Sequence, residues 1–435
     1  MKPIHRASLR SISAWLVALG VLMTPSETPA QTLRVSTYGL DSNSGLTWSS
    51  SLRTLQSALA RADADPSISR IEIAAGIYKP GGSRFSTFTL VENVTLVGGY
   101  PPAGGTVPEP DVYETILSGD IGVHGSAADN CYTVLTALGI TNVRLEGLHI
   151  RAGYSDHTSA SPGPAGFGGG LYAQNSGIVI LNCRFHANRA IQGGAAYLLG
   201  GATTFYGCRF TQNLAGDFGG AIATVPGLND NELLVDRSWF LGNLAGVSGG
   251  AVYAGFQHGI YNSIFSGNAS GTAGGAVLVD FGGGDSRVGN CTFANNRAGL
   301  GGAAYVSFSL GSTDVANSIF WSNTPADTSV AFAPGSIYSV HHCVLPPEPM
   351  PWCVATSSIY VDPEFVDELG SDGVAGTADD NPRIGRGSPC VNAGLNDSVP
   401  TYAEQDIDGR VRISAPMPRL PAIVDIGANE LVPLL

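Results

Sequence analysis

The sequence predicts an all-β fold, a stack of short-stranded coils forming a parallel β-helix, on three observations. Six times between residues 185 and 323 a Phe is followed three positions later by Asn: Phe185/Asn188, Phe210/Asn213, Phe240/Asn243, Phe265/Asn268, Phe293/Asn296 and Phe320/Asn323. Five or six residues after each of the first five pairs comes Gly-Gly-Ala, beginning at Gly193, Gly219, Gly249, Gly274 and Gly301. The Asn positions lie 25, 30, 25, 28 and 27 residues apart. A recurring spacing of this length marks a repeat architecture.

Aligning the repeats on Phe shows how one coil is built. Three positions before it stand Asn182, Gly207, Arg237, Asn262, Asn290 and Asn317. Five of these six are Asn or Gly, the residues that tolerate a left-handed backbone, so a sharp corner is expected here. Two positions before Phe stand Cys183, Cys208, Ser238, Ser263, Cys291 and Ser318, a slot for a small residue. A coil then reads as a strand, the corner, a second strand with Cys/Ser and Phe on one side, a turn at the second Asn, and a third strand opened by Gly-Gly-Ala. Stacking at about 4.8 Å per coil would align the Phe rings in an internal ladder and let the Asn side chains hydrogen-bond along the axis. The longest repeat carries its extra residues at 226–231, which have loop composition.

Composition agrees with a solenoid. The 58 glycines could suggest disorder, but 43% of residues are apolar and regularly placed. A single globule of roughly 400 residues would normally split into domains, whereas in a solenoid each repeat contacts only its neighbours. The net charge is −13, and beyond the first 30 residues the only lysine is Lys79. That excludes the clustered basic footprint of nucleic-acid binding and argues against docking on an anionic membrane. Arg184, Arg209 and Arg237 recur along the repeats, diluted by acids, and read as a solvated strand face.

Residues 1–30 read as a signal peptide: Lys2, Arg6 and Arg10, then an apolar run from Ala14 to Met23, then Thr28-Pro29-Ala30 as cleavage site. No later run approaches the roughly 20 apolar residues of a membrane-spanning helix. The chain is expected to be exported, to the cell surface, the medium or the periplasm, with no membrane span. Residues 31–75 form an N-terminal cap, with Leu52, Leu55, Ala58, Leu59 and Ala62 at helical spacing to cover the first coil's open edge. Residues 76–166 hold irregular early coils and a Ser/Gly/Pro-rich loop at 154–166. Regular repeats follow over 167–345, and a C-terminal capping region over 346–435.

The F-x-x-N and G-G-A pairing over residues 167–323 resembles the repeat of bacterial polymorphic outer-membrane proteins and related exported right-handed parallel β-helix proteins, which implies a right-handed helix here. Four later motifs stand in order: Asp362-Pro363-Glu364-Phe365, Ser388 to Gly394, Asp406-Ile407-Asp408-Gly409-Arg410, and Asp425 to Glu430. Together they resemble the C-terminal region of the choice-of-anchor Q family of exported β-helix proteins.

Chemistry is sparse. Parallel β-helices host many polysaccharide lyases and hydrolases, and hydrolysis needs two carboxylates about 5–10 Å apart. Acids in the repeats are scattered: Asp217, Asp230, Glu232, Asp236, Asp280 and Asp285. Asp236, four positions before Phe240, is the weak catalytic candidate. His341-His342 beside Cys343 suggests a metal, but adjacent side chains on a strand point to opposite faces, and no further ligand has zinc spacing. A Ca²⁺ site is the best ion candidate, at Asp367, Asp372, Asp379 and Asp380 in the acidic, glycine-rich stretch 367–380, because Ca²⁺ takes six to eight oxygens. Of seven cysteines, Cys343 and Cys353 are the better disulfide pair and Cys183 with Cys208 the weaker. The expected function is an extended binding face for glycans or a cell surface; the alternative is a polysaccharide lyase or glycoside hydrolase with its site on the loops at 154–166 or 226–232.

Overall fold

The computed structural model describes residues 30–156, 166–226, 231–280, 285–306, 312–325, 329–334, 336–347, 353–413 and 422–431. Residues 1–29, read above as a leader, and the middles of the loops at 154–166 and 226–232 lie outside the described residues. The rest is a right-handed parallel β-helix. Among the described residues, sheet A has 12 strands, sheets B and C have nine each, and a narrow sheet D has five. One coil runs through Ile178–Leu181 in A, Arg184–His186 in B, Arg189–Gln192 in D and Ala196–Leu199 in C, then re-enters A at Gly201–Tyr206. Equivalent strands pair in parallel, as Phe185 with Phe210 and Phe210 with Phe240.

The corner column behaves as its residues predict. Asn182, Gly207, Arg237, Asn262, Asn290 and Asn317 all have φ between 48° and 65°. A second left-handed position, two after each Phe, carries that mark in only three of six coils: it is Ala187, Gln212, Gly242, Gly267, Asn295 and Ser322. The first glycine of each Gly-Gly-Ala is left-handed as well. The second is excluded from carrying a side chain by the neighbouring coil, since a Cβ on Gly250 would lie 2.0 Å from the Gly275 carbonyl oxygen.

Inside, the six Phe rings form one fully buried column, with centroids 4.5–5.1 Å apart and planes within 10° of parallel. Beside it runs the Asn ladder. Asn243 Oδ1 accepts from the backbone N–H and Nδ2 of Asn213, while Asn243 Nδ2 donates to Phe210 O and to Asn268 Oδ1. Turn groups in the interior are thereby satisfied without water, as buried polar groups must be. The Cys/Ser column is hydrogen-bonded too: Ser238 Oγ accepts from Cys208 N and donates to Asp236 O. All seven cysteines stand unbridged, against both disulfide expectations. Cys208 Sγ donates to Ile180 O, and Cys343 Sγ to His341 O, so each serves the ladder.

At the N-terminal end the helix Leu55–Ala64 buries Leu55, Ala58, Leu59 and Ala62 against Gln31–Val35 and Ile68–Ala74. Thr54 caps it, accepting from Ser57 N, and Asp41 holds Thr54 in place through its backbone N–H and hydroxyl.

The C-terminal region contributes one antiparallel pair, Phe365–Asp367 with Asn381–Ile384, and runs back along the flank of the solenoid. The outward positions of sheet B show why it lands there. Arg184 and Arg209 give way to Trp239, Ile264, Thr292 and Ile319, which lie under Ile407, Ile426 and Ala428. Arg237, by contrast, belongs to the corner column and bonds Gln405. Three of the C-terminal motifs close on one another. Asp406 accepts from Asp408 N, Arg410 N and Glu430 N, while Asp425 accepts from Asn392 N and Leu431 N.

Burial, reinforced by the Asp425 carboxylate, pushes the Glu430 carboxyl up to about 8; Arg412 pulls the other way. The folded state therefore holds this proton where an unfolded glutamate, at 4.5, has lost it. The group's contribution is complete below about pH 4.5 and is lost as pH rises through about 8. Hydrogen-exchange protection of residues 422–431, corrected for intrinsic rates, should fall over that range, while protection in the Phe column stays level. Level protection at both places would exclude a neutral buried Glu430.

Candidate functional site

Sheet A presents a groove. Its inward positions, such as Ile180, Phe205, Val235 and Ile260, are sealed in the core, and alternate residues face outward. One margin is the side on which the chain passes from the strands of sheet C into those of sheet A. Along the other runs the C-terminal region, which contributes Tyr402. Between them lies a shallow concavity of about 100 Å³, lined by Glu232, Leu234, Gly259, Asp285, Arg287, Ser312, Asp314 and Tyr402. It spans four coils, roughly 14 Å of axis at 4.8 Å each.

Glycine makes the floor. The Tyr261 ring lies against the bare backbone, so a Cβ at Gly259 would come 2.7 Å from it and one at Gly289 3.2 Å. Its hydroxyl bonds the Tyr402 hydroxyl at 2.9 Å, with the rings edge to face. Burial raises both phenols above their ordinary value. Polar groups form the far wall. Asp285 Oδ1 accepts from the Ser312 backbone and hydroxyl, and Arg287 Nε pairs with Asp314 Oδ2 at 3.1 Å. The other Asp314 oxygen meets His341 Nε2 at 3.2 Å. Glu232 stands near Tyr402, adding to the rise of its phenol.

Of the scattered acids noted in the sequence, stacking thus brings Glu232 and Asp285 together and adds Asp314. Asp236 is placed elsewhere. It ends its sheet A strand beneath the C-terminal region, 4% exposed, accepting from Asn262 Nδ2 at 2.7 Å, and burial pushes its carboxyl up to about 6. It is a buried contact between flank and coil and does not line the groove. In the acidic loop, Asp380 accepts from Ser266 Oγ and Gly376 N, binding the loop to sheet B, where Gly376 meets Gly242 and Gly267. Asp379 accepts from Thr377 Oγ1 and from Ser371, bonds that hold its carboxyl well below the usual range. Asp372 accepts from Val374 N. Among the described residues no three His, Cys, Asp or Glu side chains gather as a metal site of three protein ligands requires.

One residue escaped the sequence reading and another was misread. Arg412 is fully buried, and its signal was only an isolated arginine next to the Asp406–Arg410 motif. His342 sits in the corner column with φ 51°. It therefore leaves strand alternation, and its Nδ1 lies 3.2 Å from His341 Nδ1. The expectation that the two rings point apart is overturned, because a left-handed residue does not alternate as a strand residue does.

No curated protein matches the chain. Among solved structures it is similar to pectate lyase Pel9A, at 14% identity and TM-score 0.43, over 93% of this chain and 97% of that one. It is also similar to a rhamnogalacturonan lyase, at 14% identity and TM-score 0.46, over 82% and 97% of the two chains. Neither likeness carries an inference about activity. Residues 37–305, more than half of the chain, match the family described as protein of unknown function DUF1565, and the chain belongs to that family.

Proposed function

We propose that this protein is an exported β-helix scaffold that binds a polysaccharide chain along the groove of sheet A. The observation that carries the reading is the groove itself: a glycine floor, an aromatic edge at Tyr402, and fixed polar groups over four coils. Binding sites for organic ligands pair shaped apolar surface with a few well-placed polar groups. The leader-like first 30 residues support export. The repeat's resemblance to polymorphic outer-membrane proteins, and the C-terminal motifs' resemblance to the choice-of-anchor Q family, support a place at a cell surface. Charge narrows the ligand. Glu232, Asp285 and Asp314 outweigh Arg287, which Asp314 already pairs, so a neutral or amino-bearing glycan suits the groove better than a polyuronate.

A second reading, a hydrolase or lyase, is favoured by the carboxylates collected in this groove. One panel of neutral, amino and acidic polysaccharides tests both. Binding without turnover is expected, with Tyr402→Ala weakening it by about tenfold, the equivalent of about 1.4 kcal/mol. Reducing ends or unsaturated products that disappear in Glu232→Gln would establish an enzyme instead. Binding to none of the panel, or binding untouched by either substitution, would remove the groove from the argument.

A further inference from the structure

We propose that His341 and His342 form a two-imidazole site for a divalent transition-metal ion, oriented by Asp314. His341 is the last residue of the sheet A strand Ile337–His341, and His342 takes the left-handed corner with φ 51°. The corner swings the second ring to the side of the first. Their Nδ1 atoms are 3.2 Å apart and the ring planes stand at 88°. Two imidazole nitrogens bound to a tetrahedral ion at 2.0–2.1 Å would stand about 3.3–3.4 Å apart. The observed pair is already close to that spacing.

The outer contacts point the same way. Asp314 Oδ1 lies 3.2 Å from His341 Nε2, and its other oxygen is fixed by Arg287. With Nε2–H donated to the carboxylate, His341 Nδ1 carries the lone pair that faces His342. A carboxylate behind the distal ring nitrogen is the arrangement by which metal-binding histidines are oriented and made more basic. Both rings are half-buried and reachable from solvent. No third His, Cys, Asp or Glu joins them among the described residues, so the remaining positions are left to water or to an exogenous donor. Nitrogen donors select zinc, copper or nickel over calcium or magnesium. The competing occupant is a proton shared between the two rings.

Calorimetric titration of zinc chloride, and separately nickel chloride, into the untagged full chain distinguishes them. One ion per chain should bind, raise the unfolding midpoint, and be insensitive to excess magnesium. Two substitutions keep the backbone: His341→Ala, because Ala316 fills that position one coil earlier, and His342→Asn, because Asn317 fills that corner. Each should abolish the heat of binding while leaving the metal-free midpoint in place. Asp314→Asn should weaken binding by about 10–100-fold, as loss of an outer-shell partner does. Absence of saturable binding would overturn the site, as would equal binding by a chain carrying both His341→Ala and His342→Asn. Equal competition from magnesium would also overturn it.

Discussion

Phe240→Ala should destabilise the central coils by about 3–5 kcal/mol, the usual cost of emptying a core aromatic site. Phe240 is fully buried between Phe210 and Phe265, with centroids 4.6 and 4.5 Å away and planes within 5°. Its neighbours cannot close the gap, because the strand pairs Phe210 with Phe240 and Phe240 with Phe265 fix each ring's height along the axis. The effect should be local, since coils in a solenoid depend mainly on adjacent coils. Amides of residues 210–268 should lose exchange protection, while those around the Leu55–Ala64 helix keep theirs. Phe240→Leu, which leaves a smaller void, should recover part of the loss. A Phe240→Ala chain as stable as its parent would mean that the ring column does not hold the coils together.

The parts of the fold legible in the sequence are those in which one residue type answers one local requirement. Asn or Gly recurs at the corner because the backbone is left-handed there, and Phe recurs because a ring must stack on a ring. The left-handed position at Ala187, Gln212 and Ser322 was not legible, because stacking imposes the conformation on residues with no preference for it. Sheet D was missed for a related reason: strands as short as Leu244–Ala245 carry no periodicity. The landing place of the C-terminal region was written in the outward residues of sheet B, where arginine gives way to Trp239, Ile264 and Ile319. Read singly, those residues look like ordinary strand composition.

The groove was legible only in fragments. Glu232, Asp285 and Asp314 are far apart in sequence and meet because Leu234 pairs with Gly259, Gly259 with Arg287, and Arg287 with Asp314. With repeats of 25 to 30 residues, loop insertions blur which acids share a height on the axis. The His342 reading failed at the end of a sheet A strand, the position where Asp236 also lies. Beyond it, alternation stops and the C-terminal region covers part of the face.

Arg412→Ala should release the C-terminal region from the flank at a cost of about 3–5 kcal/mol, the range for removing one partner of a buried ion pair. The guanidinium is fully buried. Its Nε donates to Asn262 Oδ1 at 2.8 Å, its Nη2 to Ala428 O at 2.6 Å and to Asn290 O at 3.3 Å, and Glu430 lies 3.8 Å from Nη1. One side chain therefore ties two corners of the solenoid to the motif that ends the region. Without it the Asn262 and Ala428 oxygens lose buried donors, and Glu430, Asp425 and Asp406 lose their buried cation. The deficit should grow as pH rises through about 8, because Glu430 of the parent then ionises beside Arg412, a stabilisation the variant lacks. Arg412→Met combined with Glu430→Gln should remove the part of the deficit that appears above about pH 8, since Glu430 can then take up no charge. Limited proteolysis should cut residues 403–431 of the Arg412→Ala chain well before the coils, and sooner at pH about 8.5 than at about 6. Equal resistance in parent and variant at both pH values would show that apolar contacts at Ile407, Ile426 and Ala428 suffice to hold the region down.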